Sequence, residues 1–173
     1  MLKDKAANFF VNYTLSKRGF DEQSFSTIIN DSYAFLILMP EDEQDFRYSL
    51  DVLTFLEELK KEIFILTYDY RISLLPMHYR SKAFGHGLND INKINLPSKK
   101  MILKLLKNKF DVTLDLNRKE QLFYSYITGK ISAKVRIGFT KRLADKTYNI
   151  QISNNETNLK VSYKNLLNCL KML

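Results

Sequence analysis

The chain has no tryptophan, one cysteine, two histidines, five glycines and three prolines in 173 residues. Each scarcity removes a class of protein. A lone cysteine, Cys169, permits no internal disulfide, so a stapled secreted scaffold is excluded and a reducing compartment is the expected setting. His78 and His86 have no ligand-like spacing with each other or with Cys169, and they read as satisfied or exposed loop residues. No metal and no cofactor is expected. So little glycine and proline argues against disorder and collagen-like structure. No apolar run nears the ~20 residues that span a bilayer. The longest, Tyr33 to Met39, has strand length. The first ten residues place Lys3, Asp4 and Lys5 before a short apolar patch and lack the hydrophobic stretch of a signal peptide. The expected location is the cytoplasm, with peripheral attachment at the inner face of the membrane as an option.

What the sequence does contain is the composition of one globular domain, 45% hydrophobic and 27% charged. Its net charge of +8 is unevenly distributed. Residues 1–92 carry ten basic and fourteen acidic side chains, net −4, whereas residues 93–173 carry seventeen and five, net +12. A basic half of this size implies an anionic partner, or else a solvated lysine-rich surface.

The hydrophobic pattern alternates between two periods. Leu2, Ala6, Phe9, Phe10 and Tyr13 recur at helical spacing, giving an amphipathic amino-terminal helix that Gly19 would stop. Asp21 to Asp31 reads as a polar connector. Tyr33–Met39 and Glu62–Tyr68 are apolar on both faces, as buried parallel strands are, and leucines 50, 53, 56 and 59 mark a helix between them. Residues 69–97 are weakly patterned, with Ile91–Leu96 the best strand candidate and Ser98 a helix N-cap. Strands then follow at Phe110–Leu116, Ala133–Gly138 and Tyr148–Ile152, with helices over Arg118–Ile127 and Leu159–Leu170. This alternation predicts a single Rossmann-like α/β domain over residues 31–173: three layers around a mostly parallel sheet, preceded by a helix and connector over residues 1–30.

Ligands of open α/β sheets sit at the carboxyl ends of the strands. Three loops qualify. Pro40–Phe46 is acidic and lacks glycine, which argues against a phosphate-cradling turn. One of its carboxylates either serves as a general base or simply decorates a helix start. Leu116–Lys119 puts Arg118 and Lys119 at the predicted start of a helix, against the helix dipole, a local conflict of the kind functional sites tolerate. Gly138–Arg142 combines a glycine, where backbone can approach a ligand closely, with Arg136, Lys141 and Arg142, which could grip a carboxylate or phosphate. No Gly-x-Ser-x-Gly elbow, Walker loop or ribonucleoprotein motif is present.

Several of these segments occur in the order found in one enzyme family. Phe110-Asp-Val-Thr-Leu-Asp-Leu116 is similar to that family's Tyr-Asp-Leu-Val-Ile-Asp-Leu strand. Ala133-Lys-Val-Arg-Ile-Gly-Phe139 is similar to its Ala-Arg-Arg-Arg-Ile-Gly-Phe strand, and Tyr148 and Val161–Leu167 match the tyrosine and closing helix that follow. Tyr33–Leu173 thereby resembles the N-terminal, acceptor-binding domain of the heptosyltransferase-like glycosyltransferases of family nine. The resemblance places Asp45 at the proposed catalytic base, with Gln44 where the family has glycine; Arg118, Lys119, Arg136, Lys141 and Arg142, from the loops at the strand ends, are the candidates to hold an anion or an acidic acceptor. The family's nucleotide-sugar domain has no counterpart in the chain. The resemblance therefore implies a stand-alone relative, non-catalytic by itself, that binds an anionic glycan, a lipid headgroup or a partner protein. Its alternative is the acceptor-binding subunit of a bacterial cell-envelope glycosyltransferase whose donor domain is a separate protein. Nucleic-acid binding through the basic half is a further alternative.

Overall fold

A computed structural model describes residues 2–17, 19 and 26–173. Among these residues six strands run parallel: β1 (Ala34–Leu38), β2 (Glu62–Tyr68), β3 (Ala83–His86), β4 (Val112–Asp115), β5 (Val135–Phe139) and β6 (Ile150–Ile152). Their order in the sheet is 3-2-1-4-5-6, the order of a doubly wound dinucleotide-type fold. Helix α1 (Leu2–Ser16) precedes a short turn, α2 (Ile28–Asp31). The later helices are α3 (Glu43–Glu58), α4 (Met77–Arg80), α5 (Lys99–Leu105), α6 (Leu122–Lys130), α7 (Ala144–Thr147) and α8 (Leu159–Leu170). The expected Rossmann-like, three-layer α/β arrangement is thus the observed one.

The central strand shows why the sequence folds this way. All five residues of β1 are buried, because alternate side chains enter opposite layers. Phe35, Ile37 and Met39 pack with Phe46, Val52, Leu53 and Leu56 of α3 and with Leu166 and Leu170 of α8. Leu36 and Leu38 pack with Met101 and Leu105 of α5 and with Phe123, Tyr124 and Ile127 of α6. A strand buried on both sides needs an unbroken apolar run, which is what Tyr33–Met39 supplies. Helix α1 lies outside this sandwich. Its Ala7, Val11 and Leu15 join Leu96 and Leu143 in a satellite core, partly covered by Leu122 and Tyr126.

Three expectations are corrected. Ile91–Leu96 is not a strand; only an isolated antiparallel bridge, Ile91 to Pro97, forms there. The third strand is instead Ala83–His86, paired from Ala83 to His86 against Ile65 to Tyr68. It is an edge strand, only partly buried for most of its length, so it carries no apolar run. Helix α6 begins at Leu122, after Gln121 as N-cap, so Arg118 and Lys119 stand in a loop and do not oppose its dipole. In the predicted connector, residues 21–25 lie outside the described residues, and Ile28–Asp31 forms a helical turn whose Ile28 and Ile29 are buried. Ser98 caps α5 as expected, its Oγ accepting from the Met101 amide at 3.2 Å.

Candidate functional site

Strands β1 and β4 are neighbours in the sheet, yet the chain leaves them toward opposite edges. Their carboxyl ends therefore splay apart, and the crevice between them is where this fold class binds ligands. A cleft of about 390 Å³ occupies that position. The loop after β1 supplies Pro40, Glu41 and Asp42, and the first turn of α3 supplies Asp45. The loop after β4 supplies Asn117, Arg118, Lys119 and Gln121. Tyr70 and Arg71, beyond β2, close one side.

The acidic loop is less hostile to anions than its sequence implies. Asp42 is the N-cap of α3, its Oδ1 accepting from the amides of Gln44 at 2.9 Å and Asp45 at 3.1 Å. Two of the first-turn donors are thus already occupied, which agrees with the absence of a phosphate loop here. Glu43 is held by Arg47 and Arg71, both at 2.8 Å, and these guanidiniums lower its carboxyl below the usual range. Asp45 pairs with Arg118 at 3.0 Å, with only 11% of its side chain exposed. Within the cleft, carboxylates at Glu41, Asp42 and Asp45 face cations at Arg71, Arg118 and Lys119. Lys119 is exposed and makes no ion pair among the described residues.

The floor of the cleft is a buried knot around Asp115. Lys141 Nζ donates to Asp115 Oδ2 at 2.8 Å and to the Asn117 carbonyl at 3.0 Å. Tyr148 donates its hydroxyl to the same Oδ2, while Asp115 Oδ1 accepts from the backbone and side-chain nitrogens of Asn117 at 2.9 and 2.7 Å. Burial, reinforced by the Asp115 charge, pushes the Tyr148 hydroxyl pKa well up, so it stays a donor. The knot fixes Asn117, whose amide also reaches the Leu38 carbonyl at 3.3 Å, and so joins the two strand ends that frame the crevice.

This geometry revises the site read from sequence. Asp45, Arg118 and Lys119 come together in the cleft. Lys141 lies beneath it, 95% buried by side chain, and supports the floor instead of facing a ligand. Arg136 is buried on β5, its Nη2 donating to the Gly19 carbonyl at 3.2 Å. Arg142 turns to α1, donating to Asn8 Oδ1 at 2.6 Å. Gly138 does permit a close approach, but the approaching group is the Tyr148 ring: a Cβ on residue 138 would lie 2.6 Å from it. Gly138→Ala is accordingly expected to cost about 1–3 kcal/mol by overpacking. Urea denaturation checks this.

The sequence reading missed the aromatic side of the site. A second cleft, about 370 Å³, is lined by Tyr68, His86, Leu88, Ile91 and Phe123, and it shares Glu41 and Tyr70 with the first. The two form one groove along the carboxyl ends of β4, β1, β2 and β3. His86 lies between two rings, 4.3 Å from Tyr68 and 4.5 Å from Phe123 by centroid, and its Nε2 is 3.0 Å from the Tyr124 hydroxyl. Burial depresses its pKa to about 4, so the ring is neutral near pH 7. Gly85 and Gly87 leave room for Asp69, whose carboxylate occupies the space a Cβ at either position would need. The missed signal was the pair Tyr68 and Tyr70 at the end of β2, a strand end as eligible as the three considered.

Fold and crevice together define a Rossmann-type α/β domain with a polar-to-aromatic groove at its topological switch point. The chain belongs to a family of unknown function (DUF6913), which it matches over residues 3–173. No curated protein and no solved structure matches it. Among the described residues there is no cluster of metal-ligating side chains and no helix long and apolar enough to cross a membrane.

Proposed function

We propose that the switch-point groove binds an anionic glycan and that this domain acts by binding it. The observation that carries this reading is the continuity of the groove. A charged end, with Lys119 exposed beside the Asp45–Arg118 pair, runs into an aromatic end through the shared Glu41 and Tyr70. Sugars need both kinds of surface. Their hydroxyls pair with carboxylates, amides and guanidiniums, and their C–H faces lie on aromatic rings. A carboxylate or phosphate on the sugar would take Lys119 and Arg118. The resemblance of Tyr33–Leu173 to an acceptor-binding glycosyltransferase domain supports the same class of ligand.

A second reading keeps the ligand and adds catalysis in a complex: the groove holds the acceptor of a separate donor-binding protein, and Asp45 takes the acceptor's hydroxyl proton. It is favoured by the position of Asp45 on the wall of the cleft.

Calorimetric titration with an oligogalacturonate, glucose 6-phosphate and neutral maltose tests the proposal. The acidic ligands should bind at least ten-fold more tightly than maltose. Lys119→Glu and Tyr70→Ala, both at exposed positions, should each weaken binding about ten-fold with no loss of fold. Equal affinity for maltose, or affinities indifferent to both substitutions, would contradict it.

A further inference from the structure

Helix α1 is apolar on two sides, and only one of them is covered by the described residues. At 100° per residue, Ala7, Val11, Thr14 and Leu15 form the buried side. The opposite side is a ridge of Leu2, Phe9 and Tyr13, with Phe10 beside it. These side chains are 85%, 67%, 52% and 48% exposed. The ridge is ordered by its own contacts: Phe9 stacks on Tyr13 with centroids 6.5 Å apart and meets Phe10 edge-on at 5.8 Å. A soluble helix ordinarily turns charge to water on this side. Here the charge stands at the margins.

Both margins are cationic. The 100° rotation puts Lys5 on one flank and Lys3 and Lys17 on the other, with Lys17 Nζ 4.2 Å above the Tyr13 ring. Arg142 and Lys146 extend the Lys5 flank through hydrogen bonds of 2.6 and 2.8 Å to Asn8 and Asn12. The one carboxylate of the helix, Asp4, is exposed, and the same rotation sets it on the side away from the ridge.

We propose that this ridge docks α1 flat on an anionic lipid surface. An aromatic and aliphatic stripe bordered on both sides by lysines is the arrangement of an in-plane interfacial helix: the rings enter the acyl boundary while the lysines reach anionic headgroups at the same depth. A two-fold contact between copies of this chain would set the cationic flanks against each other, so charge complementarity selects the bilayer. The inference is independent of the groove, which is built from the carboxyl ends of the strands and contains no residue of α1.

Co-sedimentation of the full chain with vesicles of phosphatidylcholine and phosphatidylserine, 3:1, against pure phosphatidylcholine, reads the proposal. Binding to the anionic vesicles is expected, at least ten-fold above that to phosphatidylcholine, and it should fall as salt rises from 0.05 to 0.5 M. Phe9→Ser with Tyr13→Ser, and separately Lys3→Glu with Lys5→Glu and Lys17→Glu, should each reduce binding about 100-fold at unchanged circular dichroism. A Phe9→Trp variant should show blue-shifted emission on adding anionic vesicles, which reports insertion without removing the ridge. Three results would overturn the proposal: no preference for anionic vesicles; a concentration-dependent dimer that the Phe9 and Tyr13 substitutions dissolve; or binding to an RNA or DNA duplex that the lysine substitutions abolish while vesicle binding is absent.

Discussion

Replacing Asp115 by alanine is expected to destabilise the domain by about 3–5 kcal/mol. Its carboxylate is 99% buried by side chain and faces the Lys141 ammonium, itself 95% buried. Removing one partner leaves the other charged and desolvated, which costs far more than the pair contributes. Tyr148 and Asn117 also lose their acceptor. Lys141→Met should cost a comparable amount. The double variant Asp115→Ala with Lys141→Met leaves no buried charge, so its loss should fall short of the sum of the two single losses by about 1–3 kcal/mol. Urea unfolding of the four proteins measures this coupling. Strict additivity, or single losses under ~1 kcal/mol, would show that the knot does not hold the strand ends together. The effect extends to the groove, because Asp115 and Lys141 position Asn117 and the loop that carries Arg118 and Lys119.

The second large effect is a pH dependence set by His86. Its folded pKa is about 4 because burial disfavours the charged ring, against about 6.5 when exposed. Between those values the unfolded chain binds more protons than the folded one, so stability falls as pH falls. The stabilisation is complete above pH 6.5 and is lost progressively down to pH 4. The expected loss from this residue is about 2 kcal/mol at pH 5 and about 3 kcal/mol at pH 4. His86→Gln keeps a polar group near Tyr124 and Asp90 but cannot titrate, so its stability should change less with acid by those amounts. Denaturation of both proteins at pH 7, 5 and 4 gives the difference directly. Parallel curves would mean that His86 is not held neutral by the Tyr68, Phe123 and Tyr124 rings.

Five strands were legible: β1 and β2 from continuous apolar runs that burial on both faces demands, and β4, β5 and β6 from short segments rich in branched aliphatic residues. Strand β3 was not, since an edge strand built as Ala-Phe-Gly-His has no apolar run, and its Gly85, like Gly87 just beyond it, is set by the close approach of Asp69. The acidic loop illustrates the limit at the site. Its carboxylates were visible, but their partners are distant in sequence: Arg71 for Glu43 and Arg118 for Asp45. Pairing across such separations is a property of topology, and so is the burial that turns Lys141 from an exposed anion-binding group into a support. Gly138 was identified as a point of close approach for a sound reason, yet nothing local shows that the neighbour is Tyr148. The uncovered ridge of α1 was written in the sequence as an amphipathic helix; only the packed structure shows that the apolar set is divided between a buried and an open side.

The central claim is that the groove between the ends of β1 and β4 is the ligand site. Amide chemical-shift mapping of the isotope-labelled chain, titrated with oligogalacturonate, tests it most directly. The predicted perturbations fall on Glu41 to Asp45, Tyr70, Arg71 and Asn117 to Gln121, with smaller changes at His86 and Phe123. Perturbations confined to the lysine-rich α5, Lys99–Leu105, or to α1, would place the anion elsewhere and contradict the account.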